Sequence, residues 1–341
     1  MTNAVQLAQY GAVQNGFKNR IINGGMVIDQ RNAGASVTPG DGTYTLDRFS
    51  GGVTQASKFS VQQNAGAIAP PVGFTNYLGA TSLSAYSVLT GDIFVIGTRI
   101  EGLNIADLAW GTASASTVTL SFRVYSSLTG TFGGSVKNSA ANRSYPFSYS
   151  IPVANTWTTI SITIAGDTTG TWLTTNGTGI NLSFSLGTGA TYSNTAGAWA
   201  GSNYNSATGA VSVVGTSGAT FYITGVQLEK GSVATSFDYR PYGTELSLCQ
   251  RYYSQSTTTL DRVGFSPVSP GGSNTYFQGY LAWPTPMRSA PTMTTSSAFF
   301  WGSGNPGTIT TFAQINGLRQ VQTANASTQM IEFAWTASAE L

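Results

Sequence analysis

From Ile21 onward the chain alternates apolar residues with Thr, Ser and other polar ones at a period of two, the pattern of strands with one buried face and one wet face. The run Ile21 to Ile28 is interrupted by Asn23-Gly24-Gly25, which places a turn or bulge between two apolar pieces. Pro39-Gly40-Asp41-Gly42 is a turn cluster, and Tyr44 to Phe49 alternates again, with Tyr44, Leu46 and Arg48 on one face. Further strands are predicted at 58–63, 86–89, 93–103, 118–125, 143–151, 157–164, 180–186, 211–214 and 221–228. So many short strands, separated by Gly, Asn, Ser and Thr turns, predict an all-β fold, an antiparallel jelly-roll sandwich. No fixed repeat of roughly 20–50 residues runs through the chain, which disfavours a solenoid or a propeller.

The pattern changes within Phe221 to Tyr253. Strand alternation holds through Leu228, and Gly231 to Gly243 turns. From Thr244 the apolar residues take helical spacing: Leu246, Cys249 and Tyr253 on one row, Leu248 and Tyr252 on the next. This predicts a short linker helix over 244–256, between a jelly-roll domain over 21–243 and a smaller C-terminal β-domain over 257–341. In the latter, 276–283, 292–301, 308–315, 318–323 and 330–336 read as strands, and Asn316-Gly317 is a hairpin signal. A domain of that size is marginal alone, so subunit contacts are expected there. Residues 1–20 stand apart. Val5, Leu7 and Tyr10 could share a helical turn or two, but Gly11 and Gly16 limit it, and so short a helix is marginal in water. The segment reads either as a frayed terminus or as a docking peptide that orders on a partner.

Composition narrows the chemistry. Charged residues are 8% of the 341, against about 25% in an ordinary soluble protein, while hydrophobic residues are 41%. Thr, Ser, Asn and 41 Gly supply the polarity, giving a neutral, hydroxyl- and amide-rich surface suited to neutral hydroxylated ligands such as glycans or simply to solubility. The net charge is +2 with Lys and Arg scattered singly, so no nucleic-acid partner is expected. No apolar run is long enough for membrane insertion, and the first residues lack the pattern of a signal peptide. The one cysteine, Cys249, falls among apolar helix positions and reads as a buried, inert thiol. Histidine is absent, which removes Ser-His-Asp and Cys-His catalysis and His-based zinc sites. An enzyme would have to run on the 13 carboxylates, and no clustered acidic pair stands out. The expectation is that the protein is not an enzyme.

Several segments together resemble the phage tail-fibre, or receptor-binding, protein family. Asn19-Arg20-Ile21-Ile22-Asn23-Gly24-Gly25-Met26-Val27-Ile28-Asp29-Gln30-Arg31 looks like that family's opening. Tyr44-Thr45-Leu46-Asp47-Arg48-Phe49 stands where the family has Tyr-Thr-Leu-Asp-Arg-Trp. Thr224 to Gly231, Phe237-Asp238-Tyr239-Arg240-Pro241 and Cys249-Gln250-Arg251-Tyr252-Tyr253 are similar to its end-of-domain signature, and Pro286 to Thr292 to an element of its C-terminal domain. Between these segments, residues 50–220 match only in style. The resemblance implies a jelly-roll domain of carbohydrate-binding type, a C-terminal β-domain and a homotrimer. It further implies a virion adhesin, made in the host cytoplasm without a signal peptide and then extracellular on the particle, that attaches to host surface polysaccharide. Residues 1–20, with Val5, Leu7 and Tyr10, would then dock on other virion tail proteins. The alternative role is a purely structural virion component: a fibre shaft, connector or head decoration.

Sugar binding needs aromatic faces for stacking and amides for hydroxyls. The loop Tyr192 to Asn205 carries both, which makes Tyr192, Trp199, Asn203, Tyr204 and Asn205 the candidate glycan contacts. Trp199 could instead plug the end of the sandwich. Phe299, Phe300 and Trp301 cannot all face one core and are candidate trimer contacts. Glu229 and Arg240, eleven positions apart across a turn, are expected to pair and lock the corner; Asp47 and Arg48 are expected to pair with neighbouring strands. Because jelly-roll glycan-binding domains often hold a structural calcium, Asp29 and Asp238 are its candidate ligands, although no calcium-loop spacing is present.

Overall fold

The computed structural model describes residues 18–256 and, further on, 263–265, 267–269, 275–295, 299–302, 309–324 and 328–341; within this last part side chains are described over 280–295, 311–319 and 333–341. The strands before the helix are β1 (Tyr44–Leu46), β2 (Phe49–Val53), β3 (Phe59–Gln63), β4 (Leu78–Ser82), β5 (Ile93–Glu101), β6 (Val118–Ser126) and β7 (Gly130–Lys137). They continue with β8 (Ser144–Ile151), β9 (Thr158–Ile164), β10 (Thr178–Thr188), β11 (Ser193–Asn194), β12 (Ser206–Ala207) and β13 (Thr220–Lys230). Two antiparallel sheets face each other as a jelly-roll sandwich. One runs β1-β2-β5-β10-β7-β8 and the other β3-β4-β13-β6-β9.

Period-two alternation decides what lies between them. Phe94 and Ile96 of β5, Leu182 and Phe184 of β10, Val136 of β7 and Phe147 of β8 turn inward and are buried. They meet Phe122 and Val124 of β6 and Phe221 and Ile223 of β13; the rings of Phe122 and Phe184 sit edge to face at 5.0 Å. Strand β7 was not expected, because its Gly-Gly-Ser run erases the alternation. The structure gives the reason at Gly134, where an added Cβ would lie 2.4 Å from both Phe147 Cζ and Ser183 O. A neighbour's ring fills the space of the missing side chain.

Other expectations need correction. The 44–49 strand is a hairpin: Leu46 pairs with Phe49, and Asp47-Arg48 form the turn, with Arg48 at φ 68. Arg48 therefore belongs to a turn and not to a strand, although its guanidinium stays on the Tyr44 side, 6.0 Å from that ring's centroid. Stretches 86–89 and 211–214 are irregular, joined by the Tyr86 N–H bond to Val214 O (2.8 Å). The helix, α1 (Tyr242–Gln250), starts one residue after Pro241 and ends before Tyr253, which instead opens β14 (Tyr253–Gln255). Proline at the entrance suits a helix start, since its missing N–H is one the helix could not use. Cys249 is buried with Tyr252, Ile22 and Ile28, as an inert thiol should be.

The C-terminal strands are β15 (Val263–Phe265), β16 (Pro267–Ser269), β17 (Thr275–Ala282), β18 (Thr292–Thr295), β19 (Phe299–Gly302), β20 (Ile309–Gln314), β21 (Gly317–Ala324), β22 (Thr328–Phe333) and β23 (Trp335–Ser338). They form three small antiparallel sheets, ordered β14-β23-β18, β15-β22-β19 and β16-β17-β21-β20. The predicted 292–301 strand is thus divided between two sheets. The hairpin is present with Gln314 opposite Gly317, so its turn is Ile315-Asn316, one residue earlier than the signal suggested.

The segments that carried the family resemblance converge on one corner. Asn19 Nδ2 donates to Val226 O (3.0 Å), and Leu228 N–H donates to Asn19 Oδ1 (3.1 Å), tying the chain's beginning to β13. Asn23 Nδ2 bridges Ile28 O (2.8 Å) and Asp47 O (2.9 Å), while its backbone N–H donates to Glu245 Oε1 of α1. Asp47 accepts from the Gln30 backbone N–H (2.7 Å) and from Gln30 Nε2 (2.6 Å). The expected Glu229–Arg240 pair is replaced. Arg240, whose side chain is only 3% exposed, is ion-paired with Glu245 at 3.2 Å, and Glu229 is held by Gln227 Nε2 (2.9 Å) and Thr235 Oγ1 (2.7 Å).

The same corner locks the two parts together. Glu340 pairs with Arg31 (2.8 Å) and with Arg48, whose guanidinium lies 3.6 Å from the centroid of the Tyr252 ring. Arg251 pairs with Glu101 at 2.6 Å, and Tyr252 Oη donates to the same carboxylate at 2.6 Å. The 221–253 stretch is thereby tied to β5 through Arg251 and Tyr252, and to the Arg48 turn through the Tyr252 ring.

A candidate ligand groove on the outer face of the six-stranded sheet

The face of the six-stranded sheet turned away from the core is polar. Strand register sets its composition row by row. Lys137 of β7 stands opposite Asn181 of β10, which stands opposite Arg99 of β5. In the next row Ser135, Ser183, Gly97 and Ser50 follow one another across β7, β10, β5 and β2. Adjacent strands are about 4.8 Å apart, so Lys137 and Arg99 straddle Asn181 at about 10 Å between backbones.

The loop between β10 and β13 folds over one side of this face. Its strands β11 and β12 pair in parallel, and Ala200 exchanges backbone hydrogen bonds with Ser144 at the start of β8 (3.0 and 2.8 Å). Ser144 Oγ donates to Ser202 O (2.6 Å), and Asn205 N–H donates to Tyr192 O (2.7 Å). These bonds hold Asn203 and Asn205 above the sheet, where Lys137 Nζ donates to Asn203 Oδ1 at 2.9 Å and to Asn205 Oδ1 at 2.5 Å. The result is a groove of about 190 Å³, walled by these three side chains with Asn181, Ser183 and Arg99, and with Ser50 and Asp41 across from them. Arg99 also donates to Leu341 O, and Asp41 Oδ1 accepts from the Val53 N–H (3.1 Å). Lys137 is 6% exposed. Its burial, and next the charge of Arg99, bring its ammonium down to a pKa of about 8.

Of the candidate residues on that loop, Asn203 and Asn205 line the groove. Trp199 is not. Its ring packs edge to face against Trp110 (5.4 Å), Trp172 (5.4 Å) and Tyr145 (5.2 Å), and its Nε1 donates to Ala165 O (2.8 Å). It closes the end of the sandwich, the second of the two roles open to it. Tyr192 and Tyr204 are half-buried in the same loop and do not wall the groove. The groove's central residue, Lys137, went unnoticed in the sequence because β7 itself did. The signal available was a lysine closing a run of small residues, which as a strand would face the same side as Ser135 and Gly133.

A second, larger cleft of about 480 Å³ lies on the five-stranded sheet, lined by Phe74, Phe237, Tyr239, Arg123 and hydroxyls of β6 and β9. Gly225, at φ 63, permits it: a Cβ there would sit 2.6 Å from Phe74 Cζ. Tyr239 is 60% exposed, but the three rings pack on one another at 4.9 to 5.6 Å, at interplanar angles of 39 to 74°, rather than lying flat in a row as a sugar platform.

The remaining expectations are placed as follows. Asp29 spends its two oxygens on the N–H groups of Asn32 (3.0 Å) and Gly34 (2.7 Å), and Asp238 accepts from the N–H groups of Lys18 (2.9 Å) and Asn19 (3.1 Å). Each caps its own corner, an arrangement that does not fit shared calcium ligands, and among the described residues no three acidic, His or Cys side chains gather. Val5, Leu7 and Tyr10 lie outside the described residues, as do the side chains of Phe299, Phe300 and Trp301. Among the described residues no helix is long and apolar enough to cross a membrane.

No family model and no curated protein matches the chain. Among solved structures it is similar to a CBM4 carbohydrate-binding module, at 13% identity over 61% of this chain and 98% of that one, with a TM-score of 0.29. It is similar to the family 11 carbohydrate-binding module of a Clostridium thermocellum cellulosomal cellulase, at 12% identity over 60% and 99%, with a TM-score of 0.29. It is also similar to the enzymatically active domain of tailspike protein 4 of bacteriophage CBA120, at 14% identity over 63% of this chain and 22% of that one, with a TM-score of 0.32. At these identities and scores the likeness carries no functional argument; what stands from the geometry is an antiparallel jelly roll with a polar, lysine-centred groove on one sheet.

Proposed function

We propose that the protein is a phage tail fibre, a non-enzymatic virion adhesin that attaches to host cell-surface polysaccharide through the groove around Lys137, Asn203 and Asn205. The observation that carries the binding role is the groove itself. A sheet face and a separately anchored loop converge amides, hydroxyls and one ammonium on a single cleft, the donor and acceptor set that sugar hydroxyls require. Asp41 is the one carboxylate among its lining residues, which supports binding over hydrolysis by a carboxylate pair. The virion assignment is supported by the resemblance of the corner segments to tail-fibre proteins. A homotrimer would multiply weak sites into useful avidity.

The test is adsorption of purified protein to host cells and to a panel of surface polysaccharides, with Asn203→Ala and Asn205→Ala variants beside it. Loss of binding with retained folding and assembly supports the adhesin. Full adsorption by both variants points to a structural virion component instead.

A further inference from the structure

Among the described residues, Lys137 differs from the other buried cations. Arg48 and Arg240, with side chains 1% and 3% exposed, each face a carboxylate, Glu340 and Glu245. Lys137 is buried almost as deeply, yet its two acceptors are neutral amide oxygens, and no carboxylate among the described residues stands within ion-pair distance of it. Burying a charge without a counter-charge is costly, and a packing position in a β-strand has no need of one. The other charged groups lining the groove are Arg99, two strands away, and Asp41 at the exposed rim, already engaged with the Val53 N–H. A cation that faces an open groove with only neutral partners is arranged for an anion that arrives from outside.

Building on the glycan-binding reading, we propose that the groove takes a negatively charged sugar unit, whose carboxylate or phosphodiester supplies the counter-charge that Lys137 lacks. Asn203 and Asn205 would hold the ammonium in place and offer their amide N–H groups to neighbouring hydroxyls. The groove's 190 Å³ leaves room for one such unit, so specificity would be set by the charged residue of a repeating polymer.

The test is equilibrium binding of the full-length protein to polyglucuronate, polygalacturonate and polysialate, each beside its carboxyl-reduced neutral form, and to a sugar-phosphate polymer. Expected is a preference of roughly tenfold or more for a charged polymer over its neutral counterpart, abolished by Lys137→Met and partly kept by Lys137→Arg. Whether a uronate or the phosphate polymer wins identifies the source of the charge. Equal binding of charged and neutral polymers, lost in Asn205→Ala but unchanged in Lys137→Met, overturns this proposal and leaves the glycan-binding reading standing. No binding of wild type to any polymer overturns both. Unaltered urea midpoints or higher ones in the variants exclude misfolding as the cause of a loss.

Discussion

Replacing Lys137 with methionine should weaken ligand binding and at the same time stabilise the fold. Burial, and next the charge of Arg99, hold the pKa of Lys137 at about 8 against 10.5 for a free lysine, so its charge costs the folded state on the order of 3 kcal/mol. Methionine keeps the apolar stem and removes the charge. It also leaves Asn203 and Asn205 without a donor, a loss that water in the groove offsets in part, so the net gain at pH 7 should be about 1–2 kcal/mol. The pH dependence carries the sharper test. A depressed lysine pKa means the unfolded chain holds a proton that the native chain has released between pH 8 and 10.5, so wild-type stability rises relative to the variant across that window. Urea denaturation from pH 7 to 11 reads the difference. A variant less stable than wild type at pH 7, or a gap that stays flat through pH 10.5, would refute the claim that this charge is buried without a counter-charge.

Trp199→Ala should cost about 2–4 kcal/mol, because it empties the space between Trp110, Trp172 and Tyr145; a loss below about 0.5 kcal/mol by urea denaturation would mean that it plugs nothing. Glu340→Gln strands Arg48 and Arg31 and should destabilise the molecule by about 3–5 kcal/mol, whereas the paired change Arg48→Met with Glu340→Gln should recover much of that. Asp47 has its pKa raised to about 6 by burial, against the opposing bonds from Gln30, so its contribution to stability is full below pH 3.8 and is lost as pH rises through 6. Asp47→Asn should therefore narrow its deficit, or gain, against wild type between pH 4 and 7 in denaturation curves; parallel curves would contradict the assignment.

The sandwich was legible where one face of a strand is apolar. Residues 118–126 and 144–151 alternate cleanly because large side chains fill the core from both sheets, and 220–230 does so on either side of a bulge between Thr224 and Gln227. Legibility failed at β4 and β7, where glycines stand in for side chains because Tyr222 or Phe147 occupies their space. It failed again at Asp47-Arg48, since nothing in the alternation reports that an arginine takes a left-handed turn. The polar groove was half visible. Asn203 and Asn205 stood out as loop amides, but the lysine that organises them belongs to a strand some 65 positions earlier, joined only through sheet register. Trp199 had two roles open to it, and the sequence could not choose between them, because the Trp110, Trp172 and Tyr145 rings that close around it come from distant parts of the chain.

If the proposed function is right, a glycan binds on the six-stranded sheet and not in the aromatic cleft of the opposite one. The most direct measurement is a crystal structure of the protein with an oligosaccharide of the tightest-binding polymer. A sugar unit is expected in the groove, within hydrogen-bond reach of Lys137 Nζ and of the Asn203 and Asn205 amides. A sugar stacked against Phe74, Phe237 and Tyr239 while the Lys137 groove stays empty would contradict it.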